Sequence, residues 1–509
     1  MGEVVRVDER RATRLTAVHD LSVGAARSWA GLHEYDGVVQ DLSPAGVDAG
    51  LSRLGGEPLA DPHDEAHLLA AENGLRVFFG EARSHRWNPL VHLGNLDLSS
   101  YERDYAPAIE RAEARRRHLG AWPAAVDGAI ESLTEVSADV ATALLPAFRG
   151  LATEVDGSAG DVEAAAGAAL QRLVSHLEQA ARGSDAPTAL GAPLLARLLG
   201  VPEAMTVDLD DLGRRAREEA ARLESILATA VRRLDGSRPV ADVVRDLLRD
   251  HPDADGVVAE ATEQVAEVLD FTREHQLLPH TDGVCLVGPP PPSLRFAMAM
   301  MASTAPEEAD APSWYWVTPP DPAWPQQEQD EWLQVFSATT LPAVTVHEVA
   351  PGHFAHARCL RHAPTAVRRQ VQSETFMEGW AHYAEEMVLE VGFRADDPRY
   401  AVGMACEALL RVTRLECAVG LHTGAMSLAD ATALLQSQAF LAGPAARAEA
   451  ERGLYDPTYG RYTWGKLEIL ALREEVRGAW GEEFSLPRFH AALMELGCPP
   501  VGLMRTILA

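Results

Sequence analysis

The chain has 509 residues, with 45 Lys plus Arg against 75 Asp plus Glu, a formal net charge of −30 at pH 7. A surface that negative repels phosphate backbones and anionic headgroups, which sets nucleic-acid and membrane-surface roles aside. Hydrophobic residues make up 47%, charged ones 24% and aromatics 6%, a balance rich in Ala and Leu that excludes disorder of the whole chain and suits a mainly α protein with a sizeable core.

The start, MGEVVRVDERRATRL, is charged and lacks the apolar core of a secretory signal, and no stretch approaches the roughly 20 apolar residues that span a bilayer. Cys285, Cys359, Cys406, Cys417 and Cys498 are few, odd in number and scattered. They fit neither a disulfide framework nor a CxxC metal knuckle. Both features suit a reducing compartment, and the expectation is a cytoplasmic protein.

From about Arg10 to His280 apolar residues recur at three- and four-residue spacing, with Gly, Pro or Asp between the runs, which predicts helix after helix. In Asp211 to Leu234 the residues Leu212, Ala216, Leu223, Ile226 and Leu227 share one stripe and charges cover the rest, as in a packed amphipathic helix. Asp156 to Ala169 is Ala/Gly-rich and reads as a loop leading into a helix. After Gly283 the texture changes. Val284-Cys285-Leu286-Val287 stops at Gly288 and four prolines, and the aromatic, β-branched run from Ser313 to Thr318 has Pro on both sides. These runs predict two strands of a small sheet, and their proline flanks favour edge positions with backbone groups free to pair with an extended peptide. Beyond Gln326 the pattern is helical again, over Glu328–Ser337, Thr365–Val391, Pro398–Gly420 and Ala429–Leu441. The division is therefore a helical region over 1–280 and a sheet-and-helix region over 281–509, joined as one body.

The stretch that carries chemistry is Thr345-Val346-His347-Glu348-Val349-Ala350-Pro351-Gly352-His353-Phe354-Ala355-His356. Two neutral imidazoles and an adjacent carboxylate are what a zinc hydrolase needs, the imidazoles to hold the ion and the carboxylate to take a proton from the metal-bound water. In a regular helix a residue six positions after His347 is rotated by about 120°, so His347 and His353 can share an ion only across a distortion. Pro351 and Gly352 supply one: proline removes a helical hydrogen bond, and glycine tolerates the backbone of a break. A third ligand is to be sought in Glu374-Thr375-Phe376-Met377-Glu378-Gly379-Trp380-Ala381-His382-Tyr383-Ala384-Glu385-Glu386, where Glu374, Glu378, His382 and Glu385 line one helical face and the aromatic residues argue for burial.

HEVAPGH, EGWAHYAEE, then Tyr462-Thr463-Trp464-Gly465-Lys466-Leu467-Glu468 and Phe489-His490 resemble the bacterial domain-of-unknown-function family 885. That family in turn resembles zinc metallopeptidases of the thimet-oligopeptidase and carboxypeptidase Taq type, large helical bodies with a deep channel. The resemblance implies His347, His353 and Glu378 as zinc ligands and Glu348 as general base; independently of it, His356, three residues after His353, and Glu385 stay open as further contacts to the metal. The C-terminal polar cluster offers Tyr462, Tyr459 and His422 as oxyanion donors and Arg461 as a clamp for a peptide carboxylate, and the resemblance favours Tyr462 and His422 among them. Two positions depart from the family pattern: Phe354 stands where a second His often follows PGH, and Ala418 stands for an Asp that would orient His422.

These readings converge on a mainly α zinc metallopeptidase acting on short peptides. Two others stay in view, a catalytically inactive metal- or peptide-binding protein of the same fold and a helical di-metal carboxylate oxidoreductase. The second wants Glu-x-x-His on each of two helices, whereas the chain offers His-Glu and Glu-x-x-x-His. No GxxxxGK[ST] loop or G-x-S-x-G elbow is present, which leaves nucleotide hydrolysis and serine-esterase chemistry without a basis.

Overall fold

Capping side chains start many of the helices, and a left-handed glycine ends two of the longer ones. The computed structural model describes residues 13–155, 157–291, 294–295, 297–309, 311–441 and 443–508, so residues 1–12 of the charged start lie outside the described residues. The helices used below are numbered in chain order: α1 (Ala108–Ser132), α2 (Ala138–Thr153), α3 (Asp161–Gly183), α4 (Leu209–Leu234) and α5 (Val257–Glu274). Three short strands follow, β1 (Cys285–Gly288), β2 (Ala299–Ala302) and β3 (Ser313–Val317). After them come α6 (Leu341–Glu348), α7 (His353–Leu360), α8 (Glu374–Val391), α9 (Pro398–Thr423), α10 (Leu428–Gln438), α11 (Gly443–Tyr455), α12 (Arg461–Trp480) and α13 (Leu486–Glu495). The molecule is mainly helical with one small sheet, as its composition and periodicity predict.

The stretch expected to be one helix over Thr365–Val391 is two, a short one over Ala366–Gln370 and then α8. The division comes at Ser373, whose side chain accepts from Phe376 N–H and caps α8; Gly392, at φ 109°, ends it. α9 is capped by Asp397 and closed by Gly424 at φ 77°.

Two large apolar cores are built on these helices. One gathers α4, α5, the sheet, α6 to α8, the first part of α9, α12 and α13; the other gathers α1 to α3, the last turns of α9, α10 and α11. Both draw on residues before and after residue 280, and α9 lies in both, from Tyr400 to Leu415 in the first and from Cys417 to Leu421 in the second. Ala418 is buried in the second core, where the family's Asp would be a carboxylate among apolar neighbours.

The sheet order is β1-β3-β2, with β1 parallel and β2 antiparallel to β3. This corrects the edge position expected for Ser313–Thr318: β3 is the central strand, and both of its backbone edges are taken. The strand that takes the second edge, Ala299-Met300-Met301-Ala302, has neither β-branched residues nor alternation, so nothing local marks it. Pairing of a peptide to Trp314–Thr318 is thereby excluded. β3 instead serves as a support. Tyr315 is fully buried with its hydroxyl 3.4 Å from Thr345 Oγ1 on α6, and Thr345 donates to Gln264 on α5 at 3.0 Å.

Candidate metal centre

α6 stops at Glu348 and α7 starts at His353, with Val349–Gly352 as the break between them. A Cβ on Gly352 would fall 1.9 Å from the carbonyl oxygen of His347, so only glycine permits the chain to double back this closely. Trp380 Nε1 donates to Pro351 O at 2.8 Å and fastens the break to α8. The result puts the His347 and His353 rings 4.7 Å apart and nearly perpendicular. Glu378, on α8, brings Oε2 to 3.5 Å from His347 Nε2 and 3.3 Å from His353 Nε2.

These three side chains form a group whose ligand atoms converge, and Glu378 Oε2, although buried, makes no hydrogen bond. Tetrahedral zinc with bonds of about 2.0–2.2 Å separates neighbouring ligand atoms by about 3.3–3.5 Å. The donor set and its spacing fit that ion.

A second layer of groups orients the first. His347 Nδ1 lies 2.6 Å from Glu385 Oε1, Arg411 Nη1 donates to Glu385 Oε2 at 3.1 Å, and Tyr400 donates to the Glu385 backbone carbonyl at 2.8 Å. Glu385 therefore takes the nitrogen of His347 that faces away from Glu378, as a carboxylate behind a metal-binding histidine does. Burial and Arg411 favour neutral His347, yet the Glu378 and Glu385 carboxylates outweigh them and hold its pKa at about 9. Burial works against Glu378 as well, but His353 and His347 keep its carboxyl well below the usual range. The donor atoms of His347, His353 and Glu378 all lie within 4.8 Å of one another.

Tyr462 flanks this cluster, its ring 6.4 Å from that of His347 and beneath the Arg414 guanidinium at 5.5 Å. Burial first, then the Glu378 charge, push its hydroxyl above the ordinary value against Arg452, Arg414 and Arg461, so it stays protonated and able to donate. Glu348 closes α6, where its charge is felt by Cys285 in β1 and Tyr315 in β3.

Other expected site residues lie elsewhere. His422 is fully buried with Nε2 on Gly453 O at 2.8 Å, eleven residues along α9 from Arg411, or about 16 Å. The oxyanion role expected for His422 is corrected accordingly, because the helix carries it away from the metal cluster. Tyr459 is buried in the second core. His356 packs its ring against Phe376, with the centroids 5.5 Å apart, and is absent from the converging group. His382, buried, lies 3.5 Å from Glu385 Oε2; burial, then Lys466, lower its pKa to about 4. Arg461 is held by Asp456 at 2.5 Å and Glu374 at 3.1 Å. Glu374 and Arg461 border a cavity of about 590 Å³ whose walls include Trp29, His67, Phe78 and Trp87 from the first half of the chain. Arg411 and Arg452 carry no sequence signal, since nothing in their local sequence separates them from the other arginines of a helix, whereas Arg414 is the arginine of the family segment that ends at His422.

Residues 26–508 match the family model described as bacterial protein of unknown function (DUF885). The chain belongs to the DUF885 family. No curated protein matches this DUF885 chain. Among solved structures it is similar to a candidate lipoprotein of unknown function from Shewanella oneidensis, at 20% identity and a TM-score of 0.76 over 97% of this chain and 98% of that one. It is also similar to a candidate lipoprotein from Colwellia psychrerythraea, at 18% identity and a TM-score of 0.75 over 98% and 99%. That these DUF885-like folds are found in proteins described as lipoproteins overturns the expectation of a cytoplasmic protein. The five unpaired cysteines say that the fold needs no disulfide, and this does not fix a compartment. Among the described residues no helix is long and apolar enough to cross a membrane.

Proposed function

We propose that this DUF885 chain is a zinc-dependent metallohydrolase that cleaves short peptides, with His347, His353 and Glu378 as ligands and Glu348 as general base. The observation that carries the reading is the placement of Glu378 Oε2 at 3.5 and 3.3 Å from the two imidazole nitrogens, at tetrahedral spacing, with Glu385 behind His347. The choice of peptides rests on the resemblance of the DUF885 family, whose HEVAPGH and EGWAHYAEE motifs this chain carries, to the thimet-oligopeptidase and carboxypeptidase Taq metallopeptidases. When bound, zinc supplies Lewis acidity, which makes water nucleophilic near neutral pH and polarises a carbonyl.

Glu348 accepts the proton of the attacking water and returns it to the leaving amine. The Tyr462 hydroxyl donates to the oxygen that gains charge, a contribution of about 3–4 kcal/mol for a well-placed donor. The metal ligands, Glu348 and Tyr462 do not line the cavity, whose wall reaches α8 at Glu374 and Thr375, one turn before Glu378; substrate residues beyond the scissile bond extend into it, where aromatic walls take apolar side chains and the Glu374–Arg461 pair offers charge to a peptide end.

The test compares zinc-loaded wild type with Glu348→Gln on peptides of two to about twenty residues, a folded protein and an amide-free ester. The expected result is peptide cleavage by wild type only, with zinc content equal in both. Equal zinc and no cleavage by either would favour a metal-binding protein without turnover, and hydrolysis of the ester alone would remove the peptidase assignment.

A further inference from the structure

A second group of side chains converges away from the buried centre: His280 and Asp282, in the segment between α5 and β1, and His362, just beyond α7. Each offers one ligand atom, and the three atoms lie within 4.8 Å of one another. His280 is half-buried and the other two are exposed. The His280 and His362 rings stack at 3.7 Å with planes 14° apart.

The surroundings hold the group in place. Arg358 Nη2 donates to Asp282 Oδ2 at 2.8 Å, which orients the carboxylate while engaging that oxygen. Cys359 Sγ donates to the His280 carbonyl at 3.5 Å. Gly283, at φ 93°, lies so close to the Arg358 guanidinium that a Cβ would meet Cζ at 2.8 Å. The backbone carrying His280 and Asp282 is thus pressed onto the last turns of α7, whose first residue is His353.

We propose that His280, Asp282 and His362 form a second, peripheral site for a divalent transition metal of the zinc class. Two imidazoles and one carboxylate suit such borderline ions, whereas calcium and magnesium prefer sets made wholly of oxygen. Ligand atoms around zinc stand about 3.3–3.5 Å apart, and stacked, nearly parallel rings present their nitrogen lone pairs side by side, so the stack opens and the side chains turn toward the ion on binding. The peripheral site is accordingly the weaker of the two, and solvent completes its coordination. His353 and His362 are nine residues apart, on the order of 13 Å along a helix, too far for the roughly 3.5–4 Å of a paired-metal catalytic site. The ion acts as a staple between the segment that leads into β1 and the end of α7. It binds only the folded chain and therefore raises thermal stability.

The inference is independent of the proposed hydrolase. Zinc is titrated into wild type, His353→Ala, His362→Ala, His280→Gln and the His353→Ala/His362→Ala double variant, each against a chromophoric chelator, and melting temperature is recorded with and without excess zinc. Wild type is expected to bind two equivalents, one tight and one weaker. His362→Ala and His280→Gln keep only the tight one, His353→Ala keeps the weaker one with its zinc-dependent thermal shift, and the double variant loses both. A wild type that binds only the equivalent lost in His353→Ala overturns the inference, and so does a weaker equivalent that survives His362→Ala and His280→Gln. A weaker equivalent that behaves as described, in a protein with no tight site, upholds this site and removes the basis of the proposed function.

Discussion

Glu385 meets His347 on the ring nitrogen that faces away from Glu378. With Arg411 holding its other oxygen, it fixes the orientation of the imidazole. Glu385→Gln is expected to weaken zinc binding by about 10–100-fold, whereas Glu378→Ala loses nearly all bound zinc. Circular dichroism should show both variants as helical as wild type, because the cores do not depend on the ion; metal content by elemental analysis separates them. The four polar residues of this face, Glu374, Glu378, His382 and Glu385, are visible in sequence from their spacing. Their different roles are not, since these depend on the positions of α6 and α9. The HEVAPGH break is legible because Pro351 and Gly352 act locally. The displacement of His422 is not, because it follows from the direction of α9.

Where α8 crosses α12, two glycines face each other. A Cβ on Gly465 would meet Thr375 O at 2.1 Å, and one on Gly379 would meet Gly465 Cα at 2.5 Å, so the backbones touch and Tyr462, on α12, is held at the cluster. Gly465→Ala is expected to force the helices apart and cost about 1–3 kcal/mol, seen as a lower urea midpoint. Peptide cleavage should fall more than zinc affinity, since Tyr462 moves and the ligands do not.

The same crossing holds a charge network: Lys466, fully buried, contacts Glu386 at 2.6 Å and Glu219 of α4 at 3.0 Å, and Arg222 binds both acids. Burial alone would raise the Glu386 carboxyl, but Lys466 and then Arg222 hold it far below 4.5, and Glu219 is lowered too. Groups depressed in the folded state stabilise it above their unfolded pKa of about 4.3 and lose that contribution as pH falls below it. Denaturant midpoints should therefore drop steeply below about pH 4.3, with a shallower slope in Glu386→Gln. The helices here are evident from periodicity, but the glycine contact is not, since a glycine in a helical pattern carries no sign of its neighbour. β2 is hidden for a related reason, as its Ala-Met-Met-Ala run becomes a strand only beside β3.

Both apolar cores combine segments from either side of residue 280, so the two regions distinguished by texture share their interiors. A chain of residues 281–509 alone leaves α9 with half its partners missing. It is expected to show little near-UV dichroism and rapid proteolysis, whereas the full chain resists; a protected, cooperatively melting fragment would contradict the shared cores. The helical body is legible because periodicity repeats along the chain, while the sharing of α9 between cores is a property of pairings far apart in sequence. Lys466, enclosed in its network, is also the only lysine of the 509 residues. Apart from the α-amine, the native molecule therefore presents no amine to acylating reagents. Modification at residue 466 reports excursions that open the α4, α8 and α12 contact, and its rate, followed by mass on a single peptide, serves as a clock for the least frequent openings of the fold.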